Sequence, residues 1–155
     1  MSRIAILTGT RAEYGLFHPL LVALEADDRN DVSLIVTGAH LEQRFGATVH
    51  EIEADGHRIT ARVPLPLDDD SELGMARATG AALEGVATAL AEDRPDVLVI
   101  LGDRYEAFGA AAAALLLRVP VAHLHGGELT EGAVDDALRH AITKMSALHF
   151  VSTPE

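Results

Sequence analysis

Apolar positions along the chain follow two spacings in alternation. Continuous apolar runs at 3–8, 32–37, 57–63, 95–103 ("PDVLVILGD"), 120–125 and 147–151 are bounded by Gly, Pro or charged residues, which predicts buried strands. Between them the apolar residues fall at helical spacing: Leu16, Leu20 and Leu24 within 12–26, then an Ala/Leu-rich segment to about Glu92, then 104–117 and 135–146. Ser71 is placed to cap the second of these helices. The stretch from Gly38 through Phe45 and Val49 to Gly56 fits neither period. "PDVLVILGD" is apolar on both faces, as a central parallel strand must be. Six strands alternating with helices predict an α/β, doubly wound parallel sheet of the Rossmann-like kind, and right-handed crossovers give it the order 3-2-1-4-5-6.

The 155 residues suit one domain spanning 1–155. A composition 48% hydrophobic but only 4% aromatic predicts an aliphatic core of Ala, Leu, Val and Ile. The net charge of −12 argues against a nucleic-acid partner or an anionic membrane surface. With no cysteine there are no disulfides, thiolate metal sites or cysteine nucleophiles, and no basic-then-apolar signal segment opens the chain, so a cytoplasmic setting is expected. The most apolar stretch, 107–117, stops at Arg118 and Pro120, short of the roughly 20 residues a membrane helix needs, and reads as a buried helix. The acidic run at 68–70 reads as a solvated loop and helix start rather than a metal site.

In a sheet of this type ligands sit beyond the carboxyl ends of the strands, where the order reverses, here between the first and fourth strands. The first delivers Gly9, Thr10, Arg11 and Glu13 to that place; the fourth delivers Gly102, Asp103, Arg104 and Glu106. "GTRAEYG" lacks two glycines of the dinucleotide fingerprint and no phosphate-loop motif occurs, so no nucleotide cofactor is expected. Arg11 beside a helix N-terminus suits a phosphate or carboxylate; equally, it can pair with Glu13 or Asp103 as a surface ion pair. Asp103, with Arg104 beside it, can serve as a base, be locked in an ion pair, or cap the next helix.

His123 and His125 are two apart and are expected on one strand face. A metal site completed by Glu128 or Asp103 is conceivable, but the spacing is irregular and no H-E-x-x-H occurs, so no metal is expected. Along 135–146, Leu138, Ala141, Ile142 and Met145 share one face and are expected to dock on the sheet; Asp135, Asp136, Arg139, His140 and Thr143 share the other. That second face is either surface or a cleft wall near the glycines at 126, 127 and 132. Carboxylates (Asp103, Glu128, Asp135, Asp136), arginines (Arg11, Arg104, Arg139) and histidines (His123, His125, His140) thus converge on one edge. Such a set suits proton abstraction next to a phosphorylated leaving group.

"TGTRAEYGL", "GDRYE" and "HLHGGELTEGAVDDALRHAITKMSALHFVST" together resemble the UDP-N-acetylglucosamine 2-epimerase family, in particular its hydrolysing branch that feeds sialic, legionaminic and related acids. The resemblance runs end to end and implies the N-terminal lobe of a two-lobed GT-B fold, with the second, UDP-binding lobe absent from this chain. It implies a UDP-2-acetamido sugar as substrate, no cofactor, and a homodimer. A carboxylate would remove the C2 proton, UDP would leave by elimination, and water would add to give a free ManNAc-type sugar. Asp103, Asp135 and Asp136 match the family's acidic residues, while Arg11, Arg104, Arg139 and His140 match substrate-binding positions. Many relatives have a glutamate where this chain has His125, which would pass an acid/base duty to His125 or Glu128; "HGGE" is usual in the hydrolysing branch. An isolated lobe is expected to have little or no activity. The alternatives are the non-hydrolysing epimerase, whose product keeps UDP, and a stand-alone nucleotide-sugar-binding module.

Overall fold

The computed structural model describes residues 1–128 and 134–152. The strands are β1 (Ser2–Thr8), β2 (Asn30–Thr37), β3 (Ile59–Val63), β4 (Val97–Leu101), β5 (Val121–Leu124) and β6 (Leu148–Phe150). The helices are α1 (Arg11–Glu25), α2 (Val49–Ala54), α3 (Glu72–Glu92), α4 (Tyr105–Leu116) and α5 (Val134–Met145). All neighbouring strands pair in parallel, in the order β3-β2-β1-β4-β5-β6, so the expected topology is the observed one. The ambiguous stretch after Gly38 resolves into two 3-10 turns (Gly38–Leu41 and Gln43–Phe45) followed by α2.

Alternation along the strands sorts the core into two layers. Ala5, Leu7, Ile35, Leu98, Ile100 and Val121 pack with α3, α4 and Ile142 of α5. Ile6, Leu34, Val36, Val99, Leu101 and Ala122 pack with α1 and α2. Both faces of the central strands are therefore dry, which is why β4 reads as an unbroken apolar run. Among the described residues no helix is long and apolar enough to cross a membrane. The apolar run 107–117 is the buried face of α4, with Ala107, Ala110, Ala111, Ala113 and Ala114 all in the core, although its last turn leaves Leu115 and Leu116 exposed.

The small residues of α3 and α4 let these helices approach closely. A Cβ at Gly109 would lie 2.6 Å from the Thr79 carbonyl oxygen and 3.0 Å from the Ala82 Cβ. Since backbone cannot give way as a flexible side chain does, Gly109→Ala is expected to push the helices apart and cost about 1–3 kcal/mol. A urea-denaturation midpoint equal to that of the parent protein would contradict this.

Ser71 caps α3 as expected, its Oγ accepting from the Gly74 N–H at 3.1 Å. Asp69 accepts from the Ser71 N–H at 2.9 Å, so the acidic run serves the helix start.

Candidate active site

The switch point between β1 and β4 is built on the α1 N-cap. Thr10 Oγ1 accepts from the Glu13 N–H at 3.3 Å. In return Glu13 Oε2 accepts from the N–H groups of Gly9 at 2.7 Å and Thr10 at 3.2 Å. This is a capping box, legible in the sequence as T-x-x-E, so Glu13 serves the helix start instead of pairing with Arg11 as the sequence also allowed. Burial raises the Glu13 pKa to about 7, opposed by the Gly9 N–H, and the neighbouring Glu106 adds to the rise.

Glu106 is 2% exposed. Its Oε1 accepts from Arg104 Nε at 2.5 Å. Burial works against the charge on Arg104, but Glu106 and, behind it, Glu13 oppose this and the net shift is upward. The structure thus corrects the expectation that Arg104 serves Asp103. It also removes Asp103 as a helix cap, since Arg104 holds that position. Gly9 leaves the space that the two carboxylates use: a Cβ there would stand 2.9 Å from Glu106 Oε1 and 3.3 Å from Glu13 Oε2. Behind this cluster His40 is fully buried, its Nε2 2.9 Å from Thr8 Oγ1 and its Nδ1 2.7 Å from Thr48 Oγ1. Burial lowers its pKa to about 4, so the ring is neutral. The sequence reading singled out neither His40 nor these threonines, because nothing in their spacing announces a tertiary contact.

The second group lies at the ends of β4 and β5. Arg139, 12% exposed at its side chain, reaches from α5 to donate from Nη2 to Asp103 Oδ2, and its Nη1 lies 3.6 Å from Glu128 Oε2. Glu128 Oε1 pairs with His125 Nδ1 at 3.1 Å and accepts from Ser152 Oγ at 2.6 Å. The Ser152 and His125 bonds hold the Glu128 carboxyl below its ordinary value. Asp103, His125, Glu128 and Arg139 are therefore brought together, joined from β4, β5 and α5.

His123 and His125 do not share a strand face. β5 ends at Leu124, and His125 turns out of the strand with φ +57°. His123 is fully buried; its Nε2 donates to the Gly102 carbonyl at 2.7 Å and Thr143 Oγ1 donates to its Nδ1 at 3.1 Å. With both nitrogens engaged, the metal reading for this pair fails. Burial lowers the His123 pKa.

The polar face of α5 divides in two. Arg139 and Thr143 point to the strand ends, while His140 and Asp136 pair at 3.6 Å with solvent access, and Asp135 is exposed at the helix start. On the other face, Ile142 is fully buried and Met145 packs against the core, as expected. Arg11 is exposed and pairs with Glu51 of α2 at 3.1 Å, not with Glu13 or Asp103. The glycine at 132 lies outside the described residues.

A cleft of about 400 Å³ is lined by Thr10, Arg44, Asp70, Arg104 and Glu106 among others. It does not include Asp103 or Arg139. The linked side chains at the ends of β4 and β5, rather than this cleft, mark the candidate site.

A family model for UDP-N-acetylglucosamine 2-epimerase matches residues 22–155. The chain is 45% identical over 97% of its length to the UDP-N,N'-diacetylbacillosamine 2-epimerase (hydrolyzing) of Legionella pneumophila. It is 43% identical, again over 97%, to the GDP/UDP-N,N'-diacetylbacillosamine 2-epimerase (hydrolyzing) of Campylobacter jejuni. It spans about 40% of the length of these relatives. Among solved structures, an enzyme described as a UDP-N-acetylglucosamine 2-epimerase from Listeria monocytogenes superposes with a TM-score of 0.83 at 20% identity, over 98% of this chain and 39% of that one. The fold is therefore one lobe of the GT-B type. With this extent of match, the chain belongs to the UDP-N-acetylglucosamine 2-epimerase family.

Proposed function

We propose that this chain supplies the acid/base half of a hydrolysing 2-epimerase acting on a UDP-2-acetamido sugar, UDP-N-acetylglucosamine or a diacetylated relative of it. The observation that carries the reading is the linked set Asp103, Arg139, Glu128 and His125 at the ends of β4 and β5. The hydrolysing activity in the names of the relatives from Legionella and Campylobacter supports the reaction type. A structure described as bound to UDP-GlcNAc, from Neisseria meningitidis, supports the ligand class, at 19% identity and a TM-score of 0.78.

In this reading Asp103 takes the C2 proton of the sugar. The electron pair forms the C1–C2 double bond, and the C1–oxygen bond to UDP breaks. Water then adds hydroxyl to C1 while a proton returns to C2 on the other face, giving a free sugar of inverted configuration at C2. Arg139, through its hydrogen bond to Asp103 Oδ2, positions the Asp103 side chain for this step. His125 with Glu128, or Asp135 with Asp136, delivers the returning proton. Arg11, Arg104 and His140 complete the reading as substrate contacts on the phosphate and sugar sides. The UDP moiety needs a second lobe, contributed by further sequence of a longer protein, to close over it and exclude water. The reading extends to a homodimer, as the family resemblance implies, and to a cytoplasmic setting.

Phosphorus NMR of UDP-N-acetylglucosamine and its diacetylated relative tests this directly. A protein extended through the second lobe is expected to release UDP, and the 155-residue chain alone to release little or none. Conversion to an epimeric UDP-sugar with UDP retained would instead establish the non-hydrolysing reaction. Silence from a folded, extended protein with both sugars would leave a binding module.

A further inference from the structure

On the opposite edge of the sheet, His18, Asp55 and His57 each present a ligand-type atom, and these atoms lie within 4.8 Å of one another. They arrive from three places: His18 from α1, Asp55 from the residue that ends α2, and His57 from the segment leading into β3. Because β3 begins only at Ile59, the cluster sits at the amino ends of the strands, away from Asp103 and Arg139. Nothing in the proposed epimerase chemistry uses it.

His57 carries the argument. Its side chain is only 6% exposed. Nδ1 donates to the Glu25 carboxylate, at 2.9 and 3.1 Å from its two oxygens, which leaves the lone pair on Nε2. That Nε2 is sealed from solvent and has no hydrogen-bond partner among the described residues. A buried acceptor with nothing to accept is unfavourable, and a cation bound there would satisfy it. The His18 ring stands edge-on to His57, centroids 5.9 Å apart. Asp55 is held in turn: its Oδ2 accepts from the Tyr14 hydroxyl at 2.6 Å, leaving Oδ1 for an ion. Two imidazoles and a carboxylate, with a carboxylate orienting one histidine from behind, form the ligand and support pattern of zinc-type sites that keep a position open to water.

We propose that His18, Asp55 and His57 form a binding site for a divalent transition-metal ion of the zinc class, with Glu25 and Tyr14 as positioning residues. The imidazole-rich donor set favours such ions over magnesium or calcium. Tetrahedral ligands at about 2.0–2.1 Å from an ion are roughly 3.3 Å apart, a distance that rotation of the exposed His18 and Asp55 side chains can reach. The ion would clip α1 to the connection between α2 and β3. Positions 18, 55 and 57 match no metal-ligand spacing in the sequence, so only the fold brings them together.

Titration of the protein, free of any histidine tag, with Co²⁺ tests the site through the visible bands of a tetrahedral complex. One Co²⁺ per chain is expected, displaced by Zn²⁺, with Zn²⁺ raising the midpoint of thermal unfolding. His18→Ala and Asp55→Asn alter exposed side chains; each is expected to weaken Co²⁺ binding at least about tenfold without changing the circular dichroism. Glu25→Gln is expected to weaken it by about 10–100-fold. Failure of the parent protein to bind Co²⁺, or parent-like affinity in both His18→Ala and Asp55→Asn, would overturn the proposal.

Discussion

Asp103→Asn, made in a protein extended through the second lobe, is expected to lower UDP release by about 10²–10⁴-fold, the usual contribution of a positioned general base. Asparagine is nearly isosteric, and its side-chain oxygen can still accept from Arg139 Nη2, as Asp103 Oδ2 does. The link between β4 and α5 would survive, and what is lost is the capacity to take a proton. The readout that separates a base from a positioning group is deuterium exchange at C2 in heavy water, which should vanish along with turnover. A drop smaller than tenfold with exchange intact would move the base to another carboxylate of the set and reduce Asp103 to an anchor for Arg139.

The second large effect is on stability and depends on pH. Glu13 is raised from 4.5 to about 7, chiefly by burial. The folded state therefore favours its protonated form, and stability is fully present below the unfolded value and lost as pH rises through about 7. At about 1.36 kcal/mol per unit, the loss comes to about 3 kcal/mol. His40 runs the other way. Burial lowers it from 6.5 to about 4, so its contribution is present above 6.5 and lost as pH falls toward 4, again by about 3 kcal/mol. Between 4.5 and 6.5 the two slopes nearly cancel.

Glu13→Gln exposes the balance. Glutamine keeps the capping box, since its carbonyl oxygen can still accept from the Gly9 and Thr10 N–H groups, but it carries no charge beside Glu106. Urea denaturation at about pH 5 and about pH 8 should show the variant gaining about 3 kcal/mol over the parent at the higher pH and little at the lower. Its own acid loss, no longer offset, should be steeper. A difference that does not change with pH would mean that Glu13 is solvated rather than buried.

How far the sequence reached depends on whether the information is local. The strand runs and helical spacings fixed the topology, because apolar periodicity reports which face of an element is dry, and right-handed crossovers leave few ways to connect six parallel strands. The Ser71 cap was legible for the same reason, since Gly74 is three residues away. Arg139 with Asp103 and His125 with Glu128 were correctly gathered at one edge, because strand ends in a doubly wound sheet converge by topology. The partners were not legible. Arg104 turns to Glu106 instead of its neighbour Asp103, Arg11 to Glu51 forty positions away, and His123 and His125 part because the chain leaves the strand at Leu124.

The sequence by itself determined the sheet, its order, the family and the edge where Asp103, His125, Glu128 and Arg139 gather. The tertiary structure alone decided which carboxylate meets which arginine, that the half-buried Glu13 lies beside the buried Glu106, and that His18, Asp55 and His57 meet across three elements. The reason is physical: burial and charge pairing depend on distances between segments far apart in the chain, whereas periodicity and capping depend only on neighbours.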